Sequence, residues 1–356
     1  MAEAPSDEVA LFALTVWNYK QGEMVSLMIH LGDRLGLYRA MSGSGPMTAA
    51  QLAERTGFHE RWLLEWLRGQ AAAGLLLSPD GHRFELGAAG SAVLAEEETS
   101  LWFAPGAFSG SAVPPDALDR LVQAFESGIG LSYDDLGPSG AHAIERMLAP
   151  WSRLALVPRV LPAISGVVDR LRSGARVADV GCGAGVAAIA VAKAFPEAKV
   201  EGWDVSRHAI ERARSAQAEA GCENLEFKLA GASDLPDEPT YDLVLSLDCL
   251  HDMPKPADAA AAVRRALRED GVWLIKDIRS TGDWSADTKN PLLAMMYATS
   301  VATCLSSAMS EPDGAGLGTL GLPPQRLEQL CKGAGFATFE VHDLEDPANL
   351  YYEVRP

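Results

Sequence analysis

The stretch that decides the fold is RVADVGCGAGVAAIAVAKAFPEAKVEGWDVS, Arg176 to Ser206. An apolar run leads into Asp179-Val180-Gly181-Cys182-Gly183-Ala184-Gly185. An alanine-rich segment follows, then a second apolar run ending at Asp204. This reads as strand, glycine turn, helix, strand. Glycines at alternate positions let a backbone turn sharply and approach a ligand that a Cβ would hold away. The helix after the turn offers free N–H groups at its start. Asp204 falls about 20 residues beyond the turn, at the carboxyl end of the next strand, where a carboxylate can accept the hydroxyls of an adenosine ribose. An adenosine-cofactor site is therefore expected at Asp179, Gly181, Gly183, Gly185, Asp204 and the adjoining Val205.

Outward from this stretch, strand and helix alternate from Gly174 to the end. Strands are expected at 177–180, 200–203, 225–229, 241–247, 272–276, 338–342 and 350–354. Helices are expected between them at 184–194, 207–220, 257–268 and 324–334. Such alternation implies a parallel sheet with helices on both faces. The last two strands are joined by a connection too short for a crossover, so they form an antiparallel hairpin.

The fourth strand runs into YDLVLSLDCLHDM, Tyr241 to Met253. Ligands of open α/β sheets bind at the carboxyl ends of strands. Asp248, Cys249 and His251 therefore fall near the same crevice as the glycine turn, and Asp248 and Cys249 are candidate cofactor contacts. A neutral imidazole is suited to taking a proton near pH 7. His251 is the candidate general base, with Asp277, at the end of the fifth strand, holding its ring. After the third strand, Ala232 and Ser233 are candidates for contacting the adenine, while Asp234 is displaced. The polar segment Ser127 to Gly140 reads either as an ordinary connector or as a loop that can close over the site and bring Tyr133 to the ligand.

Upstream, residues 8–41 read as amphipathic helix in two pieces, with Leu11, Leu14, Trp17, Leu27, Leu31, Leu35 and Leu37 as apolar points. Thr48 and Gln51 form a capping box for the next helix, Gly57 ends it, and a further helix runs from Glu60 to Ala73. A turn at Pro79-Asp80-Gly81 and a short strand complete a winged helix-turn-helix. Its second helix balances Arg61 and Arg68 against Glu60 and Glu65, and Trp62, Leu63, Leu64, Trp66 and Leu67 make it apolar over most of its circumference. Such a helix is expected to be buried, in a core or against another subunit. Residues 92–172 read as mostly helical, with breaks at Pro105, Pro114-Pro115, Gly137-Pro138 and Pro150.

The chain of 356 residues carries a formal charge of −18, which argues against a nucleic-acid surface because phosphate affinity needs clustered Lys and Arg. The five cysteines are scattered, without C-x-x-C pairing, so reduced thiols and no zinc site or other metal are expected. The N-terminal residues lack a basic n-region, and no apolar run is long enough to cross a bilayer; a cytoplasmic protein without membrane contact is expected.

The motif Asp179-x-Gly181-x-Gly183-x-Gly185, the spaced Asp204 and the terminal hairpin resemble the class I S-adenosylmethionine (SAM) methyltransferases. Adding the winged helix and His251-Asp252, the chain resembles the small-molecule O-methyltransferases, in which the His of an H-D-W pattern is the general base and acids on later elements assist it. The pattern departs twice: Met253 stands where the Trp is expected, and GAGLGTLGLPP, before the last helix, holds no carboxylate. Across nearly its whole length the chain is similar to a bacterial group of winged-helix class I methyltransferases sometimes described as transcriptional regulators. Its marks are ERWLLEWLRGQAAAGL, VADVGCGAG, DCLHDM, NPLLAMMYATSVATCLSSAMSE, GAGLGTLG and DPANLYYEV. The resemblance implies a Rossmann-like, seven-stranded α/β sheet with an antiparallel terminal hairpin, preceded by a helical winged-helix domain. It implies SAM as cofactor, homodimers and a small-molecule acceptor. The domains expected are a dimerisation domain at 1–100, a helical connector at 101–172 and a SAM-binding catalytic domain at 173–356. O-methylation of a fairly apolar molecule is the expected reaction; methylation at carbon, nitrogen or a carboxylate, or a SAM-responsive DNA-binding regulator, are the alternatives. The segment Asn290 to Ser310, rich in Met and aromatic side chains, is either an acceptor lid or a core or dimer helix.

Overall fold

A computed structural model describes residues 6–109, 113 and 117–356. The chain divides into two compact units, Met1–Gly110 and Ser111–Pro356.

The first unit is built from helices α1 (Ser6–Arg34), α2 (Leu37–Met41), α3 (Ala49–Thr56), α4 (Glu60–Ala72) and α5 (Ala88–Leu94). Gly36, in the left-handed region, separates α1 from α2. The Thr48–Gln51 capping box forms as expected: the Gln51 N–H donates to Thr48 Oγ1 at 3.2 Å, and the Thr48 N–H to Gln51 Oε1 at 2.9 Å. The wing is smaller than the sequence implied. Two isolated bridges, Met47 with Phe84 and Leu77 with Glu85, replace a ribbon. The Asp80 carboxylate takes the N–H groups of His82 and Arg83, a local turn that leaves only short arms to pair.

The core of this unit gathers Ile29, Leu37, Tyr38, Met41, Leu52, Leu67 and Phe84, with Tyr38 edge-on to Trp66 at 5.2 Å. Helix α4 buries Leu63, Trp66, Leu67 and Gln70, one face at helical spacing. Burial in this unit's own core extends to that one face, and Trp62 is 80% exposed. Among the apolar points of the first two helices only Leu37 is buried, while Leu11, Leu14, Trp17, Leu27, Leu31 and Leu35 are exposed.

The second unit opens with helices. Pro114-Pro115 lies outside the described residues. Gly137-Pro138 starts a helix, Gly137–Leu154, rather than breaking one, because a proline in the first turn gives up an N–H that has no partner there. Pro150 lies inside the same helix. The expected long loop is shorter: residues 133–136 wind into a 3-10 turn capped by Ser132 and Asp135.

Seven strands follow: β1 (Arg176–Val180), β2 (Lys199–Asp204), β3 (Leu225–Leu229), β4 (Tyr241–Leu247), β5 (Leu267–Ile278), β6 (Thr338–His342) and β7 (Asn349–Arg355). Their order is β3-β2-β1-β4-β5-β7-β6. Strand β7 runs antiparallel to both β5 and β6, which is the expected terminal hairpin. The helix before β5 stops at Ala266, and β5 begins at Leu267, earlier than expected. Leu267 pairs with Tyr241 before the register shifts, and its side chain is fully buried there.

Alternate residues of the sheet feed two cores. Val177, Leu243, Val272 and Leu274 face one helical layer; Ala178, Val244, Trp273 and Ile275 face the other. That period of two, apolar on both faces, is what a covered parallel sheet requires. The order reverses between β1 and β4, a switch point whose crevice opens at the strands' carboxyl ends. Among the described residues no helix is long and apolar enough to cross a membrane.

Candidate active site

The glycine turn sits at that switch point. Gly181, Gly183 and Gly185 all take positive φ, at 77°, 55° and 78°. A Cβ on Gly181 would lie 2.7 Å from Cys249 Sγ, whereas one on Gly183 would meet nothing within 4 Å. Gly181 is thus pressed onto its floor and Gly183 faces open space, where a ligand can approach. Cys249 forms the floor and donates to the Val180 carbonyl at 3.1 Å. Gly181 and Cys182 N–H groups tie the turn to the Trp203 carbonyl at the end of β2.

Asp204 takes the Gly183 N–H on one carboxylate oxygen and the Ser206 N–H on the other, both at 2.8 Å. Each oxygen keeps a lone pair for a further donor. Val205 beside it is exposed. Ala232 and Ser233 form a 3-10 turn after β3. Asp234 turns back to accept the Gly231 N–H at 2.8 Å. Asp134 reaches across to the same edge, accepting from Ser206 Oγ at 3.2 Å and from the Arg207 N–H at 3.0 Å.

Asp179 is 1% exposed and one of its carboxylate oxygens has no partner. Burial, with the charge of Asp204 adding and the Ala188 N–H opposing, pushes its carboxyl up to about 7. A buried orphan acceptor at the glycine turn is a place for a ligand's donor. Together with the open Gly183 and the free lone pairs of Asp204, it fits an adenosine cofactor that carries an amino group.

Asp248 is fixed by the protein itself. It holds a left-handed conformation, with φ of 56°. Its carboxylate pairs with the buried Lys276 ammonium and accepts from Asn349 Nδ2 at 2.5 Å. Burial raises its pKa while Lys276 opposes. The Lys276 ammonium also lies 4.2 Å from the centre of the Trp151 ring.

His251, 2% exposed, stands in the 3-10 turn after β4. Its Nδ1 is 2.8 Å from Oδ1 of Asp277, at the end of β5. That bond leaves Nε2 as the nitrogen facing the remaining neighbours. Nearby are the Asp252 carboxylate, the Cys304 thiol and the Tyr133 hydroxyl, which lies 3.8 Å from Cys304 Sγ and hydrogen-bonds Asp252. Burial works against a charged ring. The Asp277 carboxylate, its hydrogen bond and the contact with Cys304 outweigh it and hold the His251 pKa well above the ordinary range. For Cys304, burial raises the thiol, but the bond to His251 and its charge bring it down to about 7.

Cys304 ends a π-turn, Ser300–Cys304, within the Met-rich segment. That segment is broken into short helices, with Met295 and Tyr297 exposed and Cys304 turned inward. The 128–132 loop is strapped to it: the Leu131 N–H donates to Ser306 Oγ at 2.7 Å and the Gly130 N–H to the Met309 carbonyl at 2.9 Å. The structure therefore brings His251 and Asp277 together as expected and places Tyr133 beside them. Sequence reasoning missed Cys304 as a neighbour of His251: it lies on a separate segment and no local pattern marks it, whereas Asp252 adjoins His251 in the H-D pair.

Comparison with known proteins places both units. A family profile described as "Methyltransferase domain" matches residues 171–347, and one described as "Rv2258c-like winged HTH domain" matches residues 23–95. The ubiquinone biosynthesis O-methyltransferase of Thiobacillus denitrificans is 30% identical over 173 residues, covering 48% of this chain and 67% of the relative. The 27-O-demethylrifamycin SV methyltransferase of Amycolatopsis mediterranei is 33% identical over 115 residues, covering 32% of this chain and 42% of the relative. Among solved structures, human N-acetylserotonin methyltransferase in complex with SAM superposes with a TM-score of 0.66 at 17% identity, covering 100% of this chain and 99% of that one. An O-methyltransferase family protein from Burkholderia thailandensis gives 0.67 at 18% identity, with 99% of each chain covered. At such identities the structural likeness speaks for the fold.

Proposed function

The chain belongs to the SAM-dependent methyltransferases and carries an amino-terminal winged helix-turn-helix domain, and from that membership we propose that it methylates a small, fairly apolar molecule at oxygen, with His251 as general base. The observation that carries the reading is the His251–Asp277 pair at the end of β4, on the switch-point crevice that also holds the glycine turn. The cofactor contacts in this reading are Asp179, Gly181, Gly183 and Gly185 at the turn, Asp204 and Val205 at the ribose, and Ala232 and Ser233 at the adenine. Cys249, and Asp248 through its lock on Lys276, shape the floor. Tyr133 closes the acceptor side.

Methyl transfer is an in-line displacement, so the protein must align the acceptor and take its proton as charge develops. The donor supplies a methyl group on a positively charged sulfur, and that charge favours the neutral form of a nearby imidazole. The neutral ring, held by Asp277 through Nδ1, presents Nε2 to the acceptor hydroxyl. The relatives' O-methyltransferase names favour oxygen over carbon or nitrogen. A screen of phenols, enols, carboxylic acids, amines and carbon acids for SAM consumption, read as a methyl mass shift, tests the acceptor class. Transfer to phenols or enols supports the reading; transfer confined to amines or carbon acids overturns the assignment to oxygen.

We read the first unit as a homodimerisation domain of a cytoplasmic enzyme. In support, α1 exposes Leu11, Phe12, Leu14, Trp17 and Tyr19 along its length, far more apolar surface than a solvated helix needs. On α4 Arg61 is paired with Glu65, which does not favour contact with DNA phosphates.

A further inference from the structure

The cluster around His251 has the composition of a metal site. His251, Asp252 and Cys304 each offer one ligand atom, all three residues are buried, and the three atoms lie within 4.8 Å of one another. They arrive from two separate elements, the turn after β4 and the π-turn Ser300–Cys304. For this reason the scattered cysteines of the sequence gave no sign of it. We propose that His251 Nε2, the Asp252 carboxylate and Cys304 Sγ bind a thiophilic divalent cation of the zinc class, and that its occupancy withdraws His251 from proton transfer.

Four observations carry this. The donor set is one nitrogen, one oxygen and one sulfur, which suits zinc and excludes hard cations such as magnesium and calcium. Tetrahedral coordination puts ligand atoms about 3.5 Å apart, and the three candidate atoms already lie within 4.8 Å of one another. The Asp277 carboxylate already takes His251 Nδ1 at 2.8 Å, the second contact that metal-bound histidines regularly make; it fixes the ring and leaves Nε2 free to bind. Finally, Asp252, Asp277 and Cys304 bring two carboxyl groups and a thiol to a single buried imidazole. A divalent cation there stabilises the deprotonated carboxylate and thiolate that bind it. Three protein ligands leave a fourth position for water or a substrate atom. The binding half of the proposal stands by itself; the silencing half rests on the reading of His251 as base.

The test uses the full chain, stripped with a chelator and desalted. Cobalt(II) is added and the thiolate-to-cobalt charge-transfer absorption is followed; zinc(II) is titrated by calorimetry. One equivalent of each is expected. The absorption should vanish in Cys304→Ser, and zinc affinity should fall at least tenfold in Asp252→Asn. Retained binding of S-adenosylhomocysteine shows that each variant is folded. No charge-transfer absorption in the wild type, or an unchanged one in Cys304→Ser, overturns the site. With an acceptor in hand, the stripped enzyme should turn over and stoichiometric zinc should slow it at least tenfold. Turnover unaffected by zinc, or abolished by stripping, overturns the silencing. The cobalt spectrum needs no acceptor, so its failure is separable from failure of the methyl-transfer reading.

Discussion

Nδ1 of His251 and Oδ1 of Asp277 stand 2.8 Å apart, across 26 residues of chain and with both side chains almost wholly removed from water. One residue follows β4 and the other ends β5, so the parallel pairing of those strands sets their distance. In the proposed reaction Asp277 acts by positioning the ring, through that one contact. Replacing it by Asn keeps the shape but weakens the hold on the ring. Asp277→Asn should lower kcat about 100-fold, within the range that general-base catalysis contributes, with KM changed little. Product release measured over a range of acceptor concentrations separates the two effects; a raised KM with unchanged kcat would assign Asp277 to binding instead.

The proposed ribose contact is tested at Asp204. Its carboxylate is already aligned by the Gly183 and Ser206 N–H groups, so its loss removes charge-assisted bonds worth about 1.5–3 kcal/mol each. Asp204→Ala should bind S-adenosylhomocysteine at least tenfold more weakly by calorimetry. Unchanged affinity would place the nucleoside elsewhere.

Asp179 links the site to stability. Its carboxyl is raised to about 7 in the folded chain from an ordinary value near 3.8. The unfolded chain loses this proton near pH 4 while the folded chain keeps it to about pH 7. Stability therefore falls as pH rises through this window, and above it the full penalty, about 4 kcal/mol by linkage, is present. Asp179→Asn keeps an acceptor for the Ala188 N–H and removes the charge. The cofactor-free variant should melt higher than the wild type at pH 8, by several degrees, with the gap closing toward pH 4. Its affinity for S-adenosylhomocysteine should fall. A variant that melts lower at pH 8 would contradict this assignment.

Lys276 and Asp248 form a buried pair, completed by Asn349. Removing one partner of such a pair costs about 3–5 kcal/mol, while removing both is far milder. Lys276→Met should destabilise the protein by that amount in urea unfolding, and Lys276→Met with Asp248→Asn should recover most of it. Additive losses would show that the two groups act independently.

The exposed face of α1 predicts a dimer in solution. Light scattering should give twice the mass of the chain, and Phe12→Glu with Trp17→Glu, both on exposed positions, should halve it without loss of helicity. A monomeric wild type would remove this role from α1.

Much of the fold was legible because it rests on local chemistry. The glycine spacing at Gly181 to Gly185, the capping box at Thr48 and the short connection before β7 each dictate geometry within a few residues. The same holds for His251 and Asp277, since strand ends can be placed from apolar runs. What was not legible depends on tertiary packing. Pro150 reads as a break, yet it lies within Gly137–Leu154. Leu267 reads as helix but extends β5, because its side chain is buried where it pairs with Tyr241. Cys304 reads as one soft side chain among several; only the π-turn aims it at a histidine 53 residues earlier in the chain.

In the proposed reaction His251 takes the acceptor's proton at a SAM-binding crevice. The most direct measurement is methyl transfer from methyl-labelled SAM to a responsive acceptor by wild type and His251→Ala, alongside their affinities for S-adenosylhomocysteine. Affinities within about threefold are expected, with turnover lower by 100-fold or more in the variant, the scale of general-base catalysis. Equal turnover at equal affinity would contradict it.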